Sequence, residues 1–257
     1  IDALPVHEET GLPFASQNEG VMHACGHDLH ATMLLGLAKT LCHLRDSFAG
    51  TVKFIFEPSE DIMPGGARKL VAAGVMENPH VDAIFGQHVC RTDPLATAVL
   101  TVGTMSGGDA VNITAGEAKM VAVLRTFGDE VRETAIEEVN RICKGIGIAF
   151  ACDIEVNLEE GYAATYNDSA LIDLVESSAT AELGESAVRH ITQPFSGSED
   201  FSFFGKLTGT PCAFMMIDAG HGENPVSLHN GKIVFDEKVM VSGVSAMSRI
   251  ALEYLKK

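Results

Sequence analysis

Apolar residues recur at helical spacing through the stretch that follows Asp28: Met33, Leu34, Leu37, Ala38, Leu41 and Leu44 fall on one face, which predicts an amphipathic helix over 28–44. The period changes at 51–56, Thr-Val-Lys-Phe-Ile-Phe, a β-branched and aromatic run of strand length that ends at Glu57-Pro58, where proline stops a ladder. Pro64-Gly65-Gly66 opens a second predicted helix over 67–76, and residues 81–89 read as an apolar strand finishing on His88 and Val89. Strand, helix and strand at this spacing predict an α/β layer arrangement, in which ligands gather outside the carboxyl ends of the strands.

The pattern changes again in the middle of the chain. Residues 96–105 and 118–127 read as strands, 129–150 as a long amphipathic helix and 153–158 as a further strand, a β-β-α-β unit of α+β character. A catalytic domain over 1–90 and 165–257 is therefore expected, with a domain over 91–164 inserted in it. Helices over 169–183 and from 236 to the end, with a strand over 211–217 between them, complete the reading.

Composition narrows the partners. A formal net charge of −17 over 257 residues excludes the basic face that nucleic acid or an anionic membrane surface demands. No apolar run reaches the roughly 18 residues of a membrane span, so a soluble protein is expected. Six cysteines (Cys25, Cys42, Cys90, Cys143, Cys152 and Cys212) follow no framework spacing, and several lie inside apolar periodic segments, which suggests a reducing compartment and hence the cytoplasm. The chain opens on Ile1-Asp2-Ala3-Leu4-Pro5, with neither an initiator Met nor a targeting segment, and an earlier natural start is expected.

The densest chemistry lies in Met22-His23-Ala24-Cys25-Gly26-His27-Asp28, at the mouth of the first predicted helix. A Cys and a His separated by glycine can point at one centre, although the same residues could also be two core and two surface side chains. Adjacent carboxylates Glu60 and Asp61, together with His88 and His229, come from loops that an α/β layout brings to one edge. Thiolate, imidazole and carboxylate groups in this number suit two metal ions that polarise a carbonyl and activate water, with a neighbouring carboxylate moving the proton. Among the other histidines, His23 and His30 are read as hydrogen-bonding supports of the ligand pair, and Asp28 as a group that could orient a ligand histidine. Glu199 and Asp200 could simply cap the next helix.

Six segments in order resemble the metallo-amidohydrolases of peptidase family M20, subfamily D: Asp2-Ala3-Leu4-Pro5-Val6, the Cys25-Gly26-His27 segment, Phe56-Glu57-Pro58-Ser59-Glu60-Asp61 with Gly65-Gly66-Ala67, Gly86-Gln87-His88-Val89, Gly197-Ser198-Glu199-Asp200-Phe201, and Leu228-His229-Asn230. That subfamily includes hippurate hydrolases, auxin-conjugate hydrolases and N-acyl amino acid deacylases. The resemblance implies Cys25, His27, Asp61, His88 and His229 as ligands of two divalent ions, Zn²⁺ or Mn²⁺ with Co²⁺ or Ni²⁺ as alternatives, and Glu60 as general base and acid. It implies hydrolysis of N-acyl amino acids, with a dipeptidase or a catalytically silent metal-binding homologue as alternatives. Asn112, Arg125 and Glu199 are candidates for contacting the substrate. The implied fold is α/β, a three-layer zinc-exopeptidase-like domain carrying an inserted ferredoxin-like lid that pairs two copies into a homodimer.

Two departures stand out. The family usually has Glu where this chain has Asp61, a side chain shorter by one methylene, about 1.5 Å of reach. The front half of the lid, with a histidine that reaches the active site in the family, has no counterpart between Val89 and Ala96, and Cys90 to Pro94 is expected to mark a junction where residues are missing.

Overall fold

A computed structural model describes residues 1–90, 98–108, 110–192, 194, 195, 197–220 and 226–256. Its contacts fall into two units: Ile1–Asp93, Gly161–His190 and Glu199–Lys257 form one, and Pro94–Glu160 with Ile191–Ser198 the other.

In the first unit, α1 (His27–His43) buries Leu29, Met33, Leu37 and Leu41, four positions at helical spacing. Each such burial stabilises the fold by about 1.5–3 kcal/mol, an upper estimate because unfolded chains are already partly compact. Leu37 and Leu41 pack in one core cluster with Leu171 and Val175 of α4 (Ser169–Leu183) and Met247 and Ile250 of α6 (Val239–Tyr254). Asp168 caps α4 by accepting the Leu171 N–H at 3.0 Å. Strand β1 (Ile84–Cys90) lies parallel to β4 (Cys212–Asp218), with His88 opposite Met216, so the histidine sits near the carboxyl end of a strand pair. Two short helices, α2 (Gly66–Ala72) and α5 (Ser202–Thr208), bring Ala67 together with Phe203 and Phe204 in a second cluster with Met76 and Ile84.

The second unit holds an antiparallel ribbon of β2 (Ala98–Gly107) and β3 (Ala118–Thr126), with an irregularity between Val102 and Thr104, and the helix α3 (Asp129–Phe150). No described residue of these three elements is buried, and Leu100, Val102, Met105, Met120 and Val123 are all at least half exposed.

The expected helices over 129–150 and 169–183 form over those residues, and the first helix ends at His43 rather than residue 44. The second helix is shorter than expected, closing at Ala72 where the chain turns. Two expected strands differ. Residues 51–56 and 153–158 join no ladder among the described residues. Over 51–56 the alternation is used for packing instead, with Val52 and Phe54 against the first cluster and Ile55 against the second. Periodicity reports which side chains are buried; a strand also needs a partner edge to satisfy its N–H and C=O groups. Residues 91–94 of the expected junction, and His221, lie outside the described residues.

Candidate metal centre

The loop before α1 turns at Gly26, whose φ of 79° lies in the left-handed region that glycine tolerates. A Cβ there would come within 2.4 Å of Val89 Cγ2, so close packing against β1 demands glycine as well. Cys25 and His27, on either side of it, are both buried.

His27 is held from behind. Its Nδ1 lies 2.7 Å from Asp2 Oδ1, and because a carboxylate only accepts, Nδ1 donates and Nε2 is left with a lone pair. That Nε2 faces two carboxylates, Glu60 Oε2 at 3.7 Å and Asp61 Oδ2 at 3.8 Å. The other oxygen of Asp2 accepts the Asp61 N–H at 3.0 Å, so one carboxylate fixes both an imidazole and the backbone of its neighbour. His88 repeats the arrangement: its Nδ1 donates to the Val89 carbonyl and its Nε2 lies 3.5 Å from Cys25 Sγ. Burial pulls the His88 pKa down to about 4, which keeps the ring in the neutral form that binds metals. His229 comes from a loop near the chain's end, with Nε2 3.3 Å from Cys25 Sγ and 3.8 Å from Asp61 Oδ1. Its φ is 66°, and its N–H is tied to the Ala24 carbonyl at 2.9 Å.

Two groups of donors result, with Cys25 common to both. Cys25, His27 and His88 have donor atoms within 4.8 Å of one another, as do Cys25, Asp61 and His229. Asp61, despite its shorter side chain, reaches toward an imidazole with each oxygen. Its Oδ2 is buried and has no hydrogen-bond partner among the described residues, an orphan that a cation would satisfy. Burial, then the carboxylates of Asp61, Glu60, Glu199 and Asp2, push the Cys25 thiol far above its ordinary range. A divalent ion reverses that logic, since a coordinating thiol loses its proton outright. Sulfur, imidazole and carboxylate donors, with the His27 and His88 rings already aimed by hydrogen bonds at Nδ1, therefore fit a pair of divalent cations.

Behind these groups lies a second carboxylate cluster of Glu60, Glu199 and Asp200, again within 4.8 Å. Burial, followed by repulsion from Glu199, Asp61, Asp200 and Asp2, pushes Glu60 up to about 10. Glu199 rises to about 8, chiefly by burial and then by Asp200 and Asp61, against a hydrogen bond from the Phe201 N–H at 3.2 Å. The expected cap does not form: Glu199 accepts the N–H of Phe201, the residue that precedes α5, Asp200 turns to the Ala67 N–H, and no described side chain caps the first turn of α5. Glu60 sits on a turn in which Ser59 takes φ 60°, and the Tyr162 hydroxyl donates to the Glu60 carbonyl. A non-glycine residue in that region costs about 1–2 kcal/mol, and such strain is found at sites where the surroundings enforce it.

Residues 1–253 match peptidase family M20/M25/M40. The chain belongs to this family. It is 29% identical to a hippurate hydrolase of Campylobacter jejuni, covering 100% of this chain and 80% of that protein, and 31% identical to an N-acetylcysteine deacetylase of Bacillus subtilis with the same coverage. Among solved structures, a dinuclear metal binding peptidase from the M20 family of Bacillus subtilis superposes with a TM-score of 0.79 at 29% identity, covering 99% of this chain and 79% of that one. An aminobenzoyl-glutamate utilization protein of Klebsiella pneumoniae, at 20% identity and a TM-score of 0.62, shares the fold. The likeness to M20 structures establishes a mixed α/β fold and a metal-dependent amidohydrolase. Both matched relatives align over 315 positions against the 257 residues here, so they carry residues inside the matched span that this M20 chain lacks.

Of the residues read from sequence, Cys25, His27, Glu60, Asp61, His88, His229 and Glu199 lie together in the first unit. Asn112 lies in the turn between β2 and β3 and Arg125 on β3 opposite Val99, both exposed and both in the second unit. His23 donates from Nδ1 to the Asp2 carbonyl, and His30 accepts the Val89 N–H on Nε2 at 3.0 Å, so each supports a ligand segment by hydrogen bonding. Asp28 is exposed; the orienting carboxylate is Asp2, missed because its sequence motif carries no spacing relation to His27. Tyr162 and Glu57 were missed for the same reason: their partners are distant in sequence.

Proposed function

We propose that this chain hydrolyses the amide bond of N-acyl amino acids at two divalent cations, held by Cys25, His27 and His88 on one side and Cys25, Asp61 and His229 on the other. The carrying observation is the division of labour among carboxylates. Asp61 belongs to a donor group with Cys25, whereas Glu60, its neighbour, turns toward Glu199 and Asp200. Bound cations would polarise the scissile carbonyl and lower the pKa of water. Glu60 then takes the proton from water and returns it to the leaving nitrogen. Its carboxyl suits the exchange because burial and the neighbouring carboxylates raise its proton affinity, and bound cations would oppose that rise. Glu199 stands beside Glu60 and is proposed to contact the substrate. Asn112, in the turn between β2 and β3, and Arg125, on β3, are proposed from their residue types to hold its carboxylate. The thiolate and imidazoles favour Zn²⁺, and the carboxylates accommodate Mn²⁺.

The names of the relatives support acylated amino acids as the substrate class: one is a hippurate hydrolase and another an N-acetylcysteine deacetylase. The exposed apolar side chains of the β2–β3 ribbon support pairing of two copies through the second unit. Six free cysteines support a reducing compartment such as the cytoplasm, and no described helix is long and apolar enough to cross a membrane.

The test compares release from N-acetyl and N-benzoyl amino acids with release from dipeptides, using wild type and Glu60→Gln. Turnover of the acylated substrates, lost in Glu60→Gln at unchanged metal content, is the expected result. Faster release from dipeptides would make the chain a dipeptidase, and loss of the metals with activity would make Glu60 a ligand.

A further inference from the structure

Glu57, half-buried, and Asp200, fully buried, are two acids that the chemistry proposed above leaves unused. Asp200 is fully buried, and its Oδ2 accepts the Ala67 N–H at 2.9 Å. Its Oδ1 and Glu57 Oε1 are both enclosed and have no N–H or hydroxyl donor among the described residues. Two carboxyl oxygens can satisfy each other only if one carries a proton. The backbone identifies which. The amides of both Gly66 and Ala67 favour the Asp200 anion, and the Ala67 N–H points at Asp200 Oδ2, whereas on Glu57 Ala67 acts alone. Burial raises both carboxyls, and the hydrogen bonds from Glu57, Ala67 and Gly66 counter the rise on Asp200. Glu57, by contrast, is pushed up to about 9 by burial and then by Asp200 and Glu199.

The loop between the two acids is built to let them meet. A Cβ on Gly65 would come within 2.2 Å of Asp200 Oδ2, and one on Gly66 within 1.6 Å of the Pro58 carbonyl oxygen and 2.9 Å of Glu57 Cγ. The pair also joins two segments of the candidate active site. Glu57 begins the strained turn of Ser59 that presents Glu60 and Asp61, and Asp200 follows Glu199.

We propose that Glu57 is a positioning residue whose protonated carboxyl donates a hydrogen bond to the Asp200 carboxylate, and that this bridge sets the Glu60–Asp61 turn against the Glu199 segment. The consequence for turnover rests on Glu60 being the proton carrier; the bridge does not. Replacement by glutamine keeps an N–H donor of the same length, while leucine keeps the volume and strands Asp200 Oδ1.

The experiment uses metal-loaded protein. At neutral pH, infrared difference spectra of wild type against Glu57→Gln should show one protonated carboxyl C=O stretch that the variant lacks. With N-acyl amino acid substrates, kcat should stay within about threefold of wild type in Glu57→Gln and fall about 10–100-fold in Glu57→Leu, with KM moving by less than about threefold, the usual scale for a group that orients others. Absence of the difference band, or equal kcat in the Leu and Gln variants, overturns the proposal. Should Glu57→Leu fail to fold, or the wild type turn over none of these substrates, the infrared comparison decides the bridge by itself, since both proteins it needs retain the hydrogen bond.

Discussion

Asp2→Asn tests the donor geometry most directly. The Asp2 carboxylate accepts from His27 Nδ1 at 2.7 Å and from the Asp61 N–H at 3.0 Å, and its side chain is only 12% exposed. Asparagine has the same shape but one acceptor oxygen. If that oxygen stays on His27, the amide NH₂ faces the Asp61 N–H, donor against donor. If the amide flips, it donates to His27 Nδ1, which forces the proton onto Nε2, the atom turned toward the candidate metal centre. The first arrangement loses a hydrogen bond to a charged group, worth about 1.5–3 kcal/mol, or about 10- to 150-fold in an equilibrium constant; the second keeps both bonds but takes the lone pair from Nε2. The same swap of carboxylate for amide behind a histidine is known to impose the wrong tautomer in serine proteases. We expect Asp2→Asn to weaken metal affinity by about 10–100-fold, read by competition against a chromogenic chelator, with thermal stability at saturating metal close to wild type. Affinity within about twofold of wild type would refute the view that Asp2 sets the His27 tautomer.

Gly66→Ala would drive a methyl into the Pro58 carbonyl, a backbone atom that no rotamer change relieves, so destabilisation of at least about 1–3 kcal/mol is expected in denaturant melts, together with loss of metal. Tyr162→Phe leaves the Glu60 carbonyl without its donor; a cost of about 1 kcal/mol and a fall in kcat without loss of metal should appear in parallel melts and rate measurements. Chelator-treated protein should lose stability as the pH rises. Burial pushes Glu57, Glu60 and Glu199 up to about 9, 10 and 8 from an ordinary 4.5, so between those limits the folded form holds the extra protons, and their stabilisation falls from about pH 4.5 upward until it is gone by pH 8–10. Metal loading should flatten that slope by favouring the ionised Glu60 and Glu199, and a chelator-treated protein whose melting temperature climbs from neutral pH to 10 would contradict the assignment.

Residues 129–150 and 169–183 are helices that could be bounded from sequence, because helical hydrogen bonds close within the segment. The runs at 51–56 and 153–158 carry strand-like patterns without ladders, because pairing depends on an edge supplied from elsewhere. The candidate ligands were legible as residue types with metal chemistry, and Cys25 with His27 by spacing as well. Asp2, Glu57 and Tyr162 were not: an Asp near the start of a chain looks like any surface acid until His27 is found 2.7 Å away. Their roles come from contacts across 25 to 143 positions, which no local pattern encodes.

His229 differs from the other donors in one respect: its side chain is 51% exposed, while those of His27 and Asp61 are 8% and 13% exposed. A cation resting on Cys25, Asp61 and His229 would have a doorway to solvent that its twin on Cys25, His27 and His88 lacks. The two should leave at unequal rates, the outer one first, so that gentle chelation would stop at a half-loaded protein with the inner ion still in place.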